Sequence, residues 1–167
     1  MSLVVVSSGD SPTSKTRALA AAALDLGGGG RLIDLIGLSA DALLGRRHDD
    51  VVDDAVAAAS VLVLATPIYR ATFNGTLKAF LDRFPADALS RTAVVLAATA
   101  ATPDHYLSLD TGGRSVVASL GGWTVPTVVY ATGADFTDGR PSDPVVAILR
   151  TALDQATSLS AALSPSR

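Results

Sequence analysis

The chain contains no cysteine in its 167 residues. Disulfides, thiolate metal sites and cysteine nucleophiles are thereby excluded. Histidine is scarce too: His48 and His105 are the whole complement. That excludes a histidine-rich metal centre, though not a carboxylate one. A basic surplus is also missing, since 13 Lys and Arg face 16 acidic residues for a net charge of −3. General coating of DNA or RNA needs such a surplus to neutralise phosphates, so a nucleic-acid partner is not expected. No apolar stretch reaches about 18 residues without a polar break, so no membrane span is expected. Met1–Ser8 lacks the basic segment and long apolar run of a secretory signal. A soluble cytoplasmic protein is the resulting expectation.

What is present points to a packed core. Hydrophobic residues make up 49% of the chain and charged residues 17%, which rules out wholesale disorder. The length suits a single domain over residues 1–167, large enough to bury roughly 70% of its unfolded surface.

Strand-like and helix-like segments alternate. Short β-branched or apolar runs fall at Leu3–Val6, Arg31–Ile36, Val61–Ala65, Thr92–Ala98 and Trp123–Tyr130. Helical spacing or composition marks Thr13–Leu26, Val51–Ala59, Asn74–Arg83, His105–Leu120 and Pro144–Leu163, with a short turn at Ser39–Leu44. Gly27–Gly30 closes the first helix. Gly112-Gly113 weakens the fourth by about 1 kcal/mol per glycine. The strands are apolar throughout rather than alternating, as parallel strands are when helices cover both faces. Pro126 lacks a donor for the ladder, which places the fifth strand at an edge. The expected fold is α/β, a three-layer sandwich around a five-stranded parallel sheet of order 2-1-3-4-5.

In such a sheet ligands bind beyond the carboxyl ends of the strands, where the strand order reverses. The loops there are Ser7–Thr16, Thr66–Gly75 and Thr99–His105, and they hold most of the unusual polar and small residues. The loops after the second and fifth strands look less specialised. Ser14, Lys15 and Thr16 stand at a helix N-terminus, where open amides and the helix dipole favour an anion. A phosphate monoester is the natural guest; helix capping by Ser11 or Ser14 is the competing explanation. Neither a Walker loop nor the glycine pattern of a dinucleotide fold is present. In the second loop, Thr66–Gly75, the apolar and aromatic side chains are able to wall a flat heteroaromatic ring; the competing explanation is that Ile68, Tyr69 and Phe73 simply pack the loop down. His105 reads more readily as a structural contact than as a proton carrier. His48 sits in a charged run with Arg46, Arg47, Asp49 and Asp50, read as a solvated face; the arginine pair is the weaker candidate for a nucleotide 2′-phosphate. Trp123 reads as core or subunit interface.

The stretch Thr66-Pro67-Ile68-Tyr69-Arg70-Ala71-Thr72-Phe73-Asn74-Gly75, continuing through Leu77, Lys78, Phe80 and Asp82, resembles the signature of NADPH-dependent FMN reductases. The alkanesulfonate-type reductases, partners of flavin-dependent monooxygenases, match it best. Ser14-Lys15-Thr16 resembles that family's phosphate loop, and Thr99-Ala100-Ala101-Thr102 with His105, Leu107, Leu109 and Asp110 resembles its third segment. The three lie in order and at the family's spacing over nearly the whole chain. The resemblance implies a flavodoxin-like fold, FMN with NADPH or NADH, and a homodimer or homotetramer. It implies that Ser14, Lys15 and Thr16, with Ser8, hold the FMN phosphate. Pro67, Ile68, Tyr69 and Arg70 would line the isoalloxazine ring, with Arg70 stabilising negative charge near the reduced ring. Thr99, Ala100, Ala101 and Thr102 would approach its other edge. No catalytic acid or base and no metal is called for, because the flavin itself takes the hydride.

Departures from the family pattern are specific. Ser8-Gly9-Asp10 replaces its Gly-Ser-Pro or Gly-Asn-Pro, which removes a hydroxyl at Gly9 and leaves Ser11 to supply one. Lys15 gives a point charge in place of the commoner arginine fork, and Ala100-Ala101 replaces a glycine pair. Thr111 stands where reductases that release reduced flavin often carry an inserted aromatic. The expected function is NAD(P)H-dependent reduction of FMN, with possible supply to a monooxygenase. The alternative is a flavodoxin-like flavin-binding or electron-transfer protein without reductase activity.

Overall fold

The structure, a computed structural model, describes residues 2–47 and 49–164. The expectation for His48 falls outside them. In chain order the main elements are β1 (Leu3–Ser7), α1 (Lys15–Leu26), β2 (Arg31–Asp34), α2 (Ala40–Leu43), α3 (Asp50–Ala57), β3 (Val61–Tyr69), β4 (Thr72–Phe73) and α4 (Gly75–Leu81). They continue as β5 (Ala93–Ala100), α5 (Arg114–Ser119), β6 (Trp123–Thr124), β7 (Val129–Thr132), β8 (Phe136–Thr137), β9 (Arg140–Pro141) and α6 (Asp143–Leu163).

The sheet runs β2-β1-β3-β5, with β6 and β7 pairing in turn along the outer side of β5. Counting β6 and β7 as two halves of one edge strand, this is the expected parallel order. The register sets Val5 beside Leu32 on one side and Val63 on the other, and Val63 beside Val95. Successive residues point to opposite faces, so each continuous apolar strand feeds two cores. Val4, Val6, Leu62, Leu64, Val94 and Leu96 face a core filled by Leu77 and Phe80. Leu3, Val5, Val61, Val63, Ala93 and Val95 face the other, closed by Leu19, Ala20 and Ala23 of α1 and Leu149, Ala152 and Ala156 of α6. Alanines bring these two helices close against the sheet.

The expected fifth strand, Trp123–Tyr130, is interrupted. Trp123 and Thr124 pair with Ala93 and Val94, and pairing resumes with Val129 opposite Ala97. Pro126 lies in the gap, where the ladder loses a donor. Arg114 covers it, donating to the carbonyls of Val125 and Pro126 at 2.8 Å each while bonding Asp110 at 2.7 Å. The expected helix His105–Leu120 is also replaced by pieces. A 3-10 turn covers Pro103–His105, a π-helical turn covers Leu109–Gly113, and only then does α5 begin. The glycine pair sits inside the π turn and packs tightly. A Cβ on Gly113 would lie 3.1 Å from Leu96 Cδ1, and one on Gly112 3.4 Å from the Phe73 ring. The second expected strand, Arg31–Ile36, ends at Asp34 and gives way to a 3-10 turn over Leu35–Gly37. Among the described residues no helix is long and apolar enough to cross a membrane.

Candidate functional site

A cleft of about 340 Å³ opens at the carboxyl ends of β1, β3 and β5, within the roughly 300–1,000 Å³ of typical small-molecule sites. Each wall follows from local structure. The first is the entry to α1. Ser14 caps the helix, its Oγ accepting from Arg17 N at 3.2 Å. The first intrahelical bond is Ala18 N to Ser14 O, 3.0 Å. The helix itself therefore gives the Lys15 and Thr16 amides no partner, and the positive end of the dipole lies there. Gly9 lets the cap sit so close: a Cβ at that position would stand 2.2 Å from Ser14 Oγ. The Ser14 hydroxyl thus occupies space that a side chain at position 9 would need.

The second wall is the β3–β4 hairpin. Ile68 pairs with Phe73 and Tyr69 with Thr72, leaving Arg70 and Ala71 as a two-residue turn. Both carry positive φ, 52° and 61°. This is the turn geometry that matches strand twist, usually filled by Asn-Gly, and a non-glycine pair there stores strain. The hairpin buries Pro67 and Ile68 against the cleft and leaves Tyr69 half exposed. The third wall is the end of β5, where Thr99, Ala100 and Ala101 line the cleft.

Hydrogen bonds lock the walls together. Asn74 Nδ2 donates to Ser8 O at 2.7 Å while its Oδ1 caps α4 by accepting from Leu77 N at 3.0 Å. Thr66 Oγ1 donates to Asn74 Oδ1 at 3.4 Å. Thr16 and Thr99 share a buried hydroxyl contact of 2.5 Å, joining α1 to β5. Tyr69 donates to Asp10 Oδ2 at 2.7 Å, joining the first loop to the second. This bond, followed by desolvation and the Asp10 charge, raises the Tyr69 phenol above its usual 10.0.

The expected residues divide clearly. Ser14, Lys15, Thr16, Pro67, Ile68, Tyr69, Thr99, Ala100 and Ala101 all line this one cleft. Ser8 lies beneath it, its Oγ donating to Ala65 O at 3.3 Å. Arg70 is exposed at the hairpin tip, and Thr102 is exposed beyond the lining. Thr102 is anchored from outside: its carbonyl accepts from the Tyr130 hydroxyl at 2.8 Å. Burial, ahead of the neighbouring Asp104 charge, raises the Tyr130 phenol. His105 is exposed in its 3-10 turn. Trp123 is 53% exposed, which removes it from the core.

Two features were not singled out from the sequence. Asn74, read only as a helix start, ties both first loops together. The loop after the edge strand, read as unspecialised, contributes Gly133 to the cleft. Asp135 shapes that loop, accepting from Thr132 N at 2.7 Å and from Thr132 Oγ1 at 2.8 Å, which holds its carboxyl below the usual range. The Thr132-x-x-Asp135 spacing was the available signal, a capping box.

A parallel sheet of this order, covered by helices on both faces and with a cleft at the carboxyl ends of its strands, defines a flavodoxin-like fold. The profile of NADPH-dependent FMN reductases matches residues 1–137, and the chain belongs to that family. The NADH-dependent FMN reductase SfnF of Pseudomonas fluorescens is 39% identical over 106 residues, 63% of this chain and 57% of that relative. An FMN reductase (NADPH) of Pseudomonas aeruginosa is 38% identical over 107 residues, 64% of this chain and 58% of the relative. The matched part therefore spans little more than half the length of these relatives. Among solved structures, the apo form of the NADH:FMN oxidoreductase EMOB is 35% identical with a TM-score of 0.86, covering 99% of this chain and 91% of that one.

Proposed function

We propose that the chain is an NAD(P)H-dependent FMN reductase, organised as one domain. The observation that carries this reading is the cleft itself. One cavity joins an open helix N-terminus with Lys15, Ser14 and Thr16 to an apolar wall of Pro67 and Ile68. That donor set suits a phosphate at one end and a flat ring at the other. Bound FMN supplies the ring that accepts hydride from the reduced nicotinamide. The chain's own residues bind and orient. Lys15 and the first-turn amides hold the phosphate, with the Ser14 and Thr16 hydroxyls beside it. Pro67, Ile68 and Tyr69 fix the plane of the ring from the β3–β4 hairpin, and Thr99, Ala100 and Ala101 close its other edge.

Arg70 faces solvent, so its charge serves an incoming nicotinamide dinucleotide or the rim of the ring rather than the cleft floor. Ser8 contributes by holding the first loop on Ala65. Thr102 contributes through the Tyr130 anchor. The relatives named for NADH and for NADPH leave both nicotinamides as substrates in this proposal. Supply of reduced flavin to a monooxygenase belongs to the same reading and comes from the resemblance to alkanesulfonate-type reductases. So does a homodimer or homotetramer, for which exposed Tyr106, Leu107 and Trp123 offer apolar surface. Because reduced nicotinamide dinucleotides are kept inside cells, a cytoplasmic location follows from that substrate.

The test is anaerobic addition of NADH or NADPH to the FMN-loaded protein. Bleaching of the yellow colour supports the reductase. A flavin that stays yellow with both nicotinamides supports the electron-carrier alternative and overturns this reading.

A further inference from the structure

The cleft that carries the proposed function contains one cation and one carboxylate, Lys15 and Asp10. Its lining therefore has no net positive charge to set against a phosphate monoester of about −1.5 to −2. Asp10 is not the helix cap, because Ser14 already accepts from Arg17 N. Asp10 is itself exposed, but its carboxylate is tethered where it lines the cleft. The Tyr69 hydroxyl donates to it at 2.7 Å, from a strand position paired with Thr72. The hairpin thus holds the carboxylate at the cleft. Lys15 reaches toward Gly133, where a Cβ would lie 4.0 Å from its Nζ.

We propose that Asp10 is a specificity-determining residue of this cleft: held by Tyr69, it weakens phosphorylated flavin relative to the unphosphorylated ribityl flavin. The inference rests on the flavin reading above. Its physical basis is repulsion between like charges in a partly screened site, which acts on the phosphate and spares the ring and the ribityl chain. FMN then remains an exchangeable substrate rather than a permanently held group. Riboflavin is accepted with an affinity close to that of FMN.

The experiment is fluorescence-quench titration of FMN and riboflavin, at low salt, with the wild type, Asp10→Asn, Asp10→Ser and Tyr69→Phe. Asp10→Ser keeps a small polar residue that loops tolerate, which guards against a folding defect peculiar to the amide. Both charge-removing variants are expected to tighten FMN about tenfold at low salt, with riboflavin changed less than about twofold. Tyr69→Phe releases the carboxylate toward water and is expected to tighten FMN by about threefold. Added salt is expected to shrink the difference between wild type and Asp10→Asn. An unchanged FMN-to-riboflavin ratio in both Asp10 variants overturns the proposal. So does an equal loss of both flavins, which marks Asp10 as a loop support only. Wild-type protein that quenches neither flavin overturns the flavin reading itself, a separate result.

Discussion

The two ends of the cleft are built differently. At the β1–β3 end, Ser8, Thr66 and Asn74 are buried and cross-bonded, and the loop backbone is held on the same side chain that starts α4. At the β5 end, the chain from Ala101 to Leu107 is exposed, and the Tyr130 hydroxyl ties it down at the Thr102 carbonyl. A site that holds an anion needs fixed donors, since their worth depends on not reorganising. A site edge that admits a second, larger substrate gains from a looser rim. The contrast assigns the better-braced backbone to the β1–β3 end and the looser rim to the β5 end.

The largest effect that would break this contrast is Asn74→Ala. It removes the α4 cap and the bond to Ser8 O and leaves buried partners unpaired, for a loss of about 2–4 kcal/mol. Urea denaturation measures it, and an unchanged midpoint would put the bracing elsewhere. Lys15→Ala comes next. FMN affinity is expected to fall by roughly tenfold or more with riboflavin unaffected, read by the same quench titration; equal loss of both flavins would move the phosphate off α1. Smaller still is Tyr130→Phe, which frees the Thr102 carbonyl at an exposed rim. A cost of about 0.5–1 kcal/mol is expected, with faster hydrogen exchange confined to residues 100–107 as the check.

The smallest effect is at Tyr69. Its phenol is raised by the Asp10 bond, so the protonated form is favoured in the folded state. The stabilisation is present at neutral pH and is lost as pH rises through the raised value. Ultraviolet titration of phenolate should place two tyrosines, Tyr69 and Tyr130, above 10.0, and Asp10→Asn should bring Tyr69 alone back toward that value. A Tyr69 titration identical in the two proteins would remove the bond between the first two loops.

These outcomes also show what was legible in the residues. Buried strands announced themselves through unbroken apolar runs, and the alternation with helices led to the parallel order, because local patterning and global topology agree there. The edge strand and the glycine-bearing helix were misjudged in extent. Pro126 marked the edge correctly, yet where the ladder stops depends on Arg114 reaching two carbonyls from another element. Gly112-Gly113 signalled weakness, but the π turn depends on how closely Phe73 and Leu96 approach. The cleft was legible from helix-start chemistry and loop composition. Gly133 and the Tyr69–Asp10 bond were not, since both are contacts between residues about 60 or more positions apart, which no local pattern encodes.

Titration of the purified chain with FMN, following flavin fluorescence, tests the central claim most directly. The account predicts saturable quenching that Lys15→Ala weakens for FMN and leaves intact for riboflavin. Fluorescence that stays at the free-flavin level throughout, for both flavins, would contradict it.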